Sequence, residues 1–352
     1  MDGERDGPHD GRTQSGGGKI SKVRWIDPES RQKVFVSGTY ERSCNQITLW
    51  SIPPVSQEGE SFKRACQIDV EDDVNDITTC IGTNFAVALN NGDLLVVDAD
   101  NDKLDIRQTM CDVHQRCAAN AISSCDNWIV SGGGDGSILL HDLNATAQPS
   151  LITSQMSSVR AISMLTANLV VSSHLCGRIY VWDLREKSSS LPSLKPTVAY
   201  YPTNTPGAIM AISSHPADRH LIGFGTEEGI VGFLDIRIAA ECVAPVSMPF
   251  SVGCINEITF HPGYPENVYL VSSEGVLIHL DATKQGVIHR VGDKESASSN
   301  LWLSRPSSFG NANVSVLMEE PMPINSVDVC ADGVIVGSDS FMMTFIDKEF
   351  FV

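Results

Sequence analysis

A repeat limits what this chain can fold into more than any other feature. An apolar strand ends in Gly or Ser, turns, and leads into a second apolar strand that closes near an Asp. Copies read FAVALNNGDLLVVDAD from Phe85, VSGGGDGSILLHDL from Val130 and VVSSHLCGRIYVWDLRE from Val170. Three more are LIGFGTEEGIVGFLDIR from Leu221, YLVSSEGVLIHLDAT from Tyr269 and VIVGSDSFMMTFIDKE from Val334. FVSGTYERSCNQITLWSI from Phe35 is a degenerate first copy, which makes seven. Two columns fix the register. The closing polar residue falls at Ser51, Asp98, Asp142, Asp183, Asp235, Asp281 and Asp347. A β-branched anchor in an upstream strand falls at Val23, Ile77, Ile122, Ile162, Ile212, Ile258 and Val327. Both columns keep one rhythm and both stretch at the last step, which predicts an insertion at about 285–322.

Each copy holds three strands and room for a fourth. A four-stranded sheet cannot bury both of its faces alone, whereas radial stacking of such sheets buries them and leaves short, protected edges. A period near 40–45 residues with a Trp-Asp ending is the WD signature. Trp182-Asp183 matches it in full, and Trp50 keeps the aromatic. The expected fold is therefore an all-β, seven-bladed WD40-type propeller over 19–352. Asn91-Gly92, Asp135-Gly136, Cys176-Gly177, Glu228-Gly229 and Glu274-Gly275 supply the positive φ that tight hairpins need. Leu191 to Pro206 is expected to hold the fourth strand of blade four. Residues 1–18 are rich in Gly and polar groups and form a poor strand. They are expected to be a disordered tail, which leaves the last blade incompletely closed.

Composition narrows the function. Acidic residues number 43 against 25 basic ones, a net charge of −18, so a phosphate-tracking surface is not expected. Direct nucleic-acid binding is not expected on that ground. The ten cysteines include no C-x-x-C pair, which argues against a zinc framework or a secreted disulfide scaffold. No signal peptide is visible, and no apolar run approaches the ~20 residues of a membrane helix.

Chemistry-bearing motifs are scarce. No nucleophile elbow, P-loop, zincin or dinucleotide fingerprint occurs, and no catalytic residue or cofactor is expected. Gly132 to Gly136 lies between two strands, where it reads as a hairpin turn. His215, His261, Cys330, Cys80 and Cys125 share one register three residues after the anchor. Such side chains ligate zinc when they converge. Ile26 and Leu165 fill the same column, so a packed strand end is the plainer reading and no metal is expected. The loop carboxylates Glu71-Asp72-Asp73 and Asp98 with Asp100 read as solvated charge. Leu301, Trp302 and Leu303 stand in a polar stretch, where an aromatic between leucines either anchors a partner or tucks against its own blade. They are the nominated partner-binding residues.

KISKVRW from Lys19, ITLWSI from Ile47, SSNLWLS from Ser298 and PINSVDVCADGVIVGSDS from Pro323 together resemble the small WD-repeat nucleoporins, in order and spacing across nearly the whole chain. The resemblance implies a non-catalytic scaffold subunit of the Y-shaped outer-ring complex of the nuclear pore. It would sit at the nuclear envelope against other nucleoporins of that complex, notably the α-solenoid nucleoporin of the short arm. It would serve mRNA and protein transport, with a kinetochore pool in some animals. The other readings are a generic WD adaptor, such as a ubiquitin-ligase substrate receptor or a chromatin reader, and an enzyme. A reader needs an aromatic cage or an acidic pocket on one propeller face, and an enzyme needs an assembled site.

Overall fold

The computed structural model describes residues 11–26, 33–53, 62–100, 103–145, 149–186, 194–201, 207–237, 243–246, 252–282, 302 and 313–347. These residues form seven four-stranded antiparallel sheets, the blades of a seven-bladed propeller. Six blades are simple meanders. Blade one, for example, runs through Lys19–Trp25, Lys33–Tyr40, Asn45–Ile52 and Lys63–Val70, from the channel outward. The apolar residues fall into seven clusters, one at each junction between neighbouring blades. The core is thus a ring of interfaces, because each sheet has two apolar faces and meets a neighbour on both.

The expected open last blade is corrected. Arg12–Ser15 pairs antiparallel with Met342–Asp347, in the register Arg12 to Phe345 through Ser15 to Met342. It supplies the outer strand of blade seven, so the two ends of the chain close the ring together. Arg12 also donates from Nη1 to the carbonyl of Pro53 at 3.0 Å. An outer strand needs backbone partners on one side only and little apolar surface, so a polar segment suffices. Residues 1–10 of the expected tail lie outside the described residues.

The expected insertion at about 285–322 contains a regular element. Asn313–Glu319 pairs with Val276–Asp281 as the outer strand of blade six. Except for Trp302, residues 283–312 lie outside the described residues. In blade four the outer strand is Val198–Tyr200, inside the segment expected to hold it.

Every pairing of an inner strand with its second strand carries a bulge in one shared column, and blade four has a second at Leu165 outside that column. The bulged residues are Ser21, Asn75, Asn120, Arg160, Met210, Asn256 and Asn325. A bulge leaves one residue unpaired and re-aims its side chain. Four of these are Asn, and each donates from Nδ2 to a carbonyl at the start of the next blade's inner strand: Ala119, Val159, Ile324 and Ile20.

Candidate functional site

Three places could carry function: the central channel, the polar cores of individual blades, and the loops of the two faces. The channel encloses about 420 Å³ and is lined by the inner strands of all seven blades. Inner strands are sheet edges, so their outward N–H groups need partners from elsewhere. Side chains of the preceding blade supply them. Asp76 accepts from the Ile122 N–H at 3.0 Å, Glu257 from Val327 at 2.9 Å and Ser326 from Val23 at 3.1 Å.

One side of the channel holds an ion cluster. Arg24 and Lys22 both reach Glu257 Oε1, at 2.5 and 2.9 Å, and both lie near Asp76, at 3.5 and 3.6 Å. Burial pushes the Glu257 carboxyl up, but Arg24 and Lys22 outweigh it and hold the group down at about 2. Asp328 behaves oppositely. Burial raises its carboxyl to about 6, against Arg24 and the Trp25 and Val329 N–H groups that it accepts from. These charges are neutralised within the protein, so the cluster locks blades one, two, six and seven rather than offering a reactive group. Arg160, at the bulge of blade four, differs: its buried Nε has no hydrogen-bond partner among the described residues. The channel lining includes no aromatic ring among those residues.

Blade three contains a buried polar chain. His141 stands where blades one and four have Trp50 and Trp182. Each of the three meets a Ser of the second strand at 2.9 Å: Ser131, Ser37 and Ser172. Beyond Ser131 the chain continues to His114 Nε2 at 2.9 Å, then from His114 Nδ1 to Ser137 at 2.8 Å and on to Asp135. Burial lowers the His114 pKa, and burial together with His114 lowers that of His141 to about 4. Both rings are neutral near pH 7, which lets one Ser donate to His114 and accept from His141. The arrangement holds loops in place.

The His and Cys column does not converge. No group of three or more His, Cys, Asp or Glu among the described residues is placed to hold a metal. His215 and His261 instead cap their own turns. His215 Nδ1 accepts the N–H groups of Ala217 and Asp218, and His261 Nδ1 those of Gly263 and Tyr264. The closing Asp residues are likewise structural. Asp142, Asp183 and Asp235 each accept the N–H two residues on.

Trp302 is 1% exposed. It stacks on Phe233 with centroids 4.3 Å apart, meets Phe260 edge-on, and donates from Nε1 to the Pro265 carbonyl at 2.9 Å. Of the two openings that the sequence left for this ring, the structure takes the inward one, at the junction of blades five and six. Leu301 and Leu303 lie outside the described residues. The bulge column was missed in the sequence, although it stands two residues before each anchor and repeats Asn four times.

The faces differ in exposure and charge. One carries the turns between second and third strands together with the connections between blades. Met156, Leu175, Tyr201, Met322 and Phe341 are exposed there. Its loops carry Glu71, Asp72, Asp112, Glu227, Glu228 and Glu274 among other acids, against Arg42, Arg116 and Arg178. The other face carries Arg185, Arg219 and Arg237 among its acids and exposes Ile81 and Tyr264.

No family model matches the chain. It is 24% identical to Nucleoporin Nup43 of Homo sapiens over 367 aligned residues, which cover 92% of this chain and 94% of that one. Nucleoporin Nup43 of Mus musculus matches at the same identity and coverage. In fold, and in sequence over nearly its full length, the chain resembles the small WD-repeat nucleoporins.

Proposed function

We propose that this chain is a non-catalytic scaffold subunit of the nuclear pore complex. It belongs to the outer-ring Y-shaped complex at the nuclear envelope and contacts the α-solenoid nucleoporin of the short arm. The similarity to Nucleoporin Nup43, which runs through 92% of this chain and 94% of the relative, carries this reading. A ring whose channel ion cluster is neutralised internally fits such a part, since it offers wide surfaces and no assembled reaction site among the described residues. The contribution to mRNA and protein transport is mechanical: the propeller holds its neighbours in place. Of the nominated partner-binding residues Leu301, Trp302 and Leu303, Trp302 serves partner contact indirectly, since its own ring is buried at the junction of blades five and six.

The test is a fluorescent and affinity tag on the full chain in living cells. A nuclear-rim signal with co-purified outer-ring nucleoporins is expected, and mitotic imaging reads any kinetochore pool. A diffuse signal with ubiquitin-ligase or chromatin proteins would sink the nuclear-pore reading and leave a generic adaptor. The lack of an aromatic cage among the described channel residues weighs against a chromatin reader of the aromatic-cage kind.

A further inference from the structure

Five blades place a glycine at the fourth residue of the turn between second and third strands. These are Gly92, Gly136, Gly177, Gly229 and Gly275, all at φ between 75° and 91°. Blade seven places Phe341 at the same position, at φ 64°. A large side chain disfavours this left-handed conformation. The glycines also lack room for a side chain: an added Cβ at Gly275 would come within 2.0 Å of the Glu320 carbonyl. Blade seven escapes that clash because its turn faces the glycine loop Gly16–Gly18, where the Gly16 N–H donates to the Phe341 carbonyl at 2.8 Å.

The ring is not placed there for the protein's own core, because Phe341 is 50% exposed. Met322, 41% exposed, lies on the connection that leads into the same blade. The two loops are tied together, with Asp339 N–H donating to the Pro323 carbonyl and Ser340 Oγ donating to Glu320. Carboxylates surround them: Glu274, Glu319, Glu320 and Asp339. Lys19 is held by Glu41 at 2.6 Å and lies 3.9 Å from Asp339, which leaves Glu274, Glu319 and Glu320 without a lysine or arginine partner among the ion pairs of the described residues. The equivalent exposed pair at blade four, Met156 and Leu175, has Arg178 in the turn of its own blade instead.

We infer that the Met322–Phe341 surface docks a basic segment of a partner protein, seating an apolar side chain on Phe341 between lysines or arginines that face the carboxylates. The occupant follows from charge complementarity, since only a cationic segment gains from entering this rim. The inference rests on the scaffold reading for the partner's setting and deepens it by naming a contact face.

The probe is a synthetic helix of about 18 residues with leucine along one side and lysine on the other. A matched peptide carries glutamate for lysine. The lysine peptide is expected to bind the full chain and to weaken with added salt, and the glutamate peptide is not. Phe341→Gly and Met322→Ser should each weaken binding about tenfold or more. Phe341→Gly should melt no lower than the parent, so a folding defect cannot explain the loss, and Phe341→Asn gives a second variant suited to the same backbone. Equal affinity for parent and Phe341→Gly overturns the inference, as does a loss seen only in Met156→Ser with Leu175→Ser. In cells, loss of the rim signal in the Phe341→Gly, Met322→Ser double variant supports the docking face. A rim signal kept in that variant overturns the docking face and leaves the scaffold reading standing. A parent chain with no rim signal removes the scaffold reading, and the peptide result then decides the docking face alone.

Discussion

His141 shows how one residue sets an acid limit on the fold. Its ring is buried and its pKa falls from 6.5 to about 4. A group depressed on folding binds its proton better in the unfolded chain, so its stabilisation is complete above pH 6.5 and lost as pH falls toward 4. The shift corresponds to at most about 3 kcal/mol. His141→Trp replaces the titrating ring with the Trp found at this position in blades one and four. Urea melts between pH 6.5 and 4 should then show a shallower loss of stability than the parent; an unchanged slope would assign the acid sensitivity to other groups. Phe341 is the other telling residue. Its left-handed backbone costs about 1 kcal/mol or more relative to Gly, so this position sets surface display against stability. The sequence already held the clue, because the sixth full copy reads SDSF where the other copies offer Gly. It could not tell whether the ring turned inward or outward.

Elements at the rim were the least legible. Outer strands are half exposed and carry dilute patterns, as in Arg12–Ser15 and Asn313–Glu319. A polar strand of four residues has no periodicity to find, and its pairing is fixed only by the free edge of Met342–Asp347. Removing residues 1–18 should cost about 3 kcal/mol through lost ladder bonds and expose an edge that promotes self-association. Removing residues 1–10 should do neither. Thermal melts and light scattering on the two truncations check this, and equal behaviour would show that the strand is dispensable. Trp302 acts at the same scale, pinning a long connection to the junction of blades five and six. Trp302→Ala deletes a fully buried ring and should cost about 3–5 kcal/mol. Protease cleavage within 283–312 should quicken in parallel, and unchanged melting would mean that the ring contributes nothing to the junction.

At the scale of the whole molecule, seven apolar clusters at seven junctions make stability a property of the closed ring. The chain's own charges hold the channel, the Asn bulges tie blade to blade, and what is left for partners is the surface. The sequence by itself determined the blade count, the register and the turns. Apolar periodicity and glycine placement are local and survive any arrangement of distant parts. It also carried the resemblance to a scaffold nucleoporin, since ordered motifs are legible without a fold. Only the tertiary structure decided that Arg12–Ser15 closes the ring, that Trp302 faces Phe233, and that the bulged asparagines reach the next blade. Each of those choices depends on what a distant segment brings alongside, and no local pattern encodes a neighbour that arrives through space.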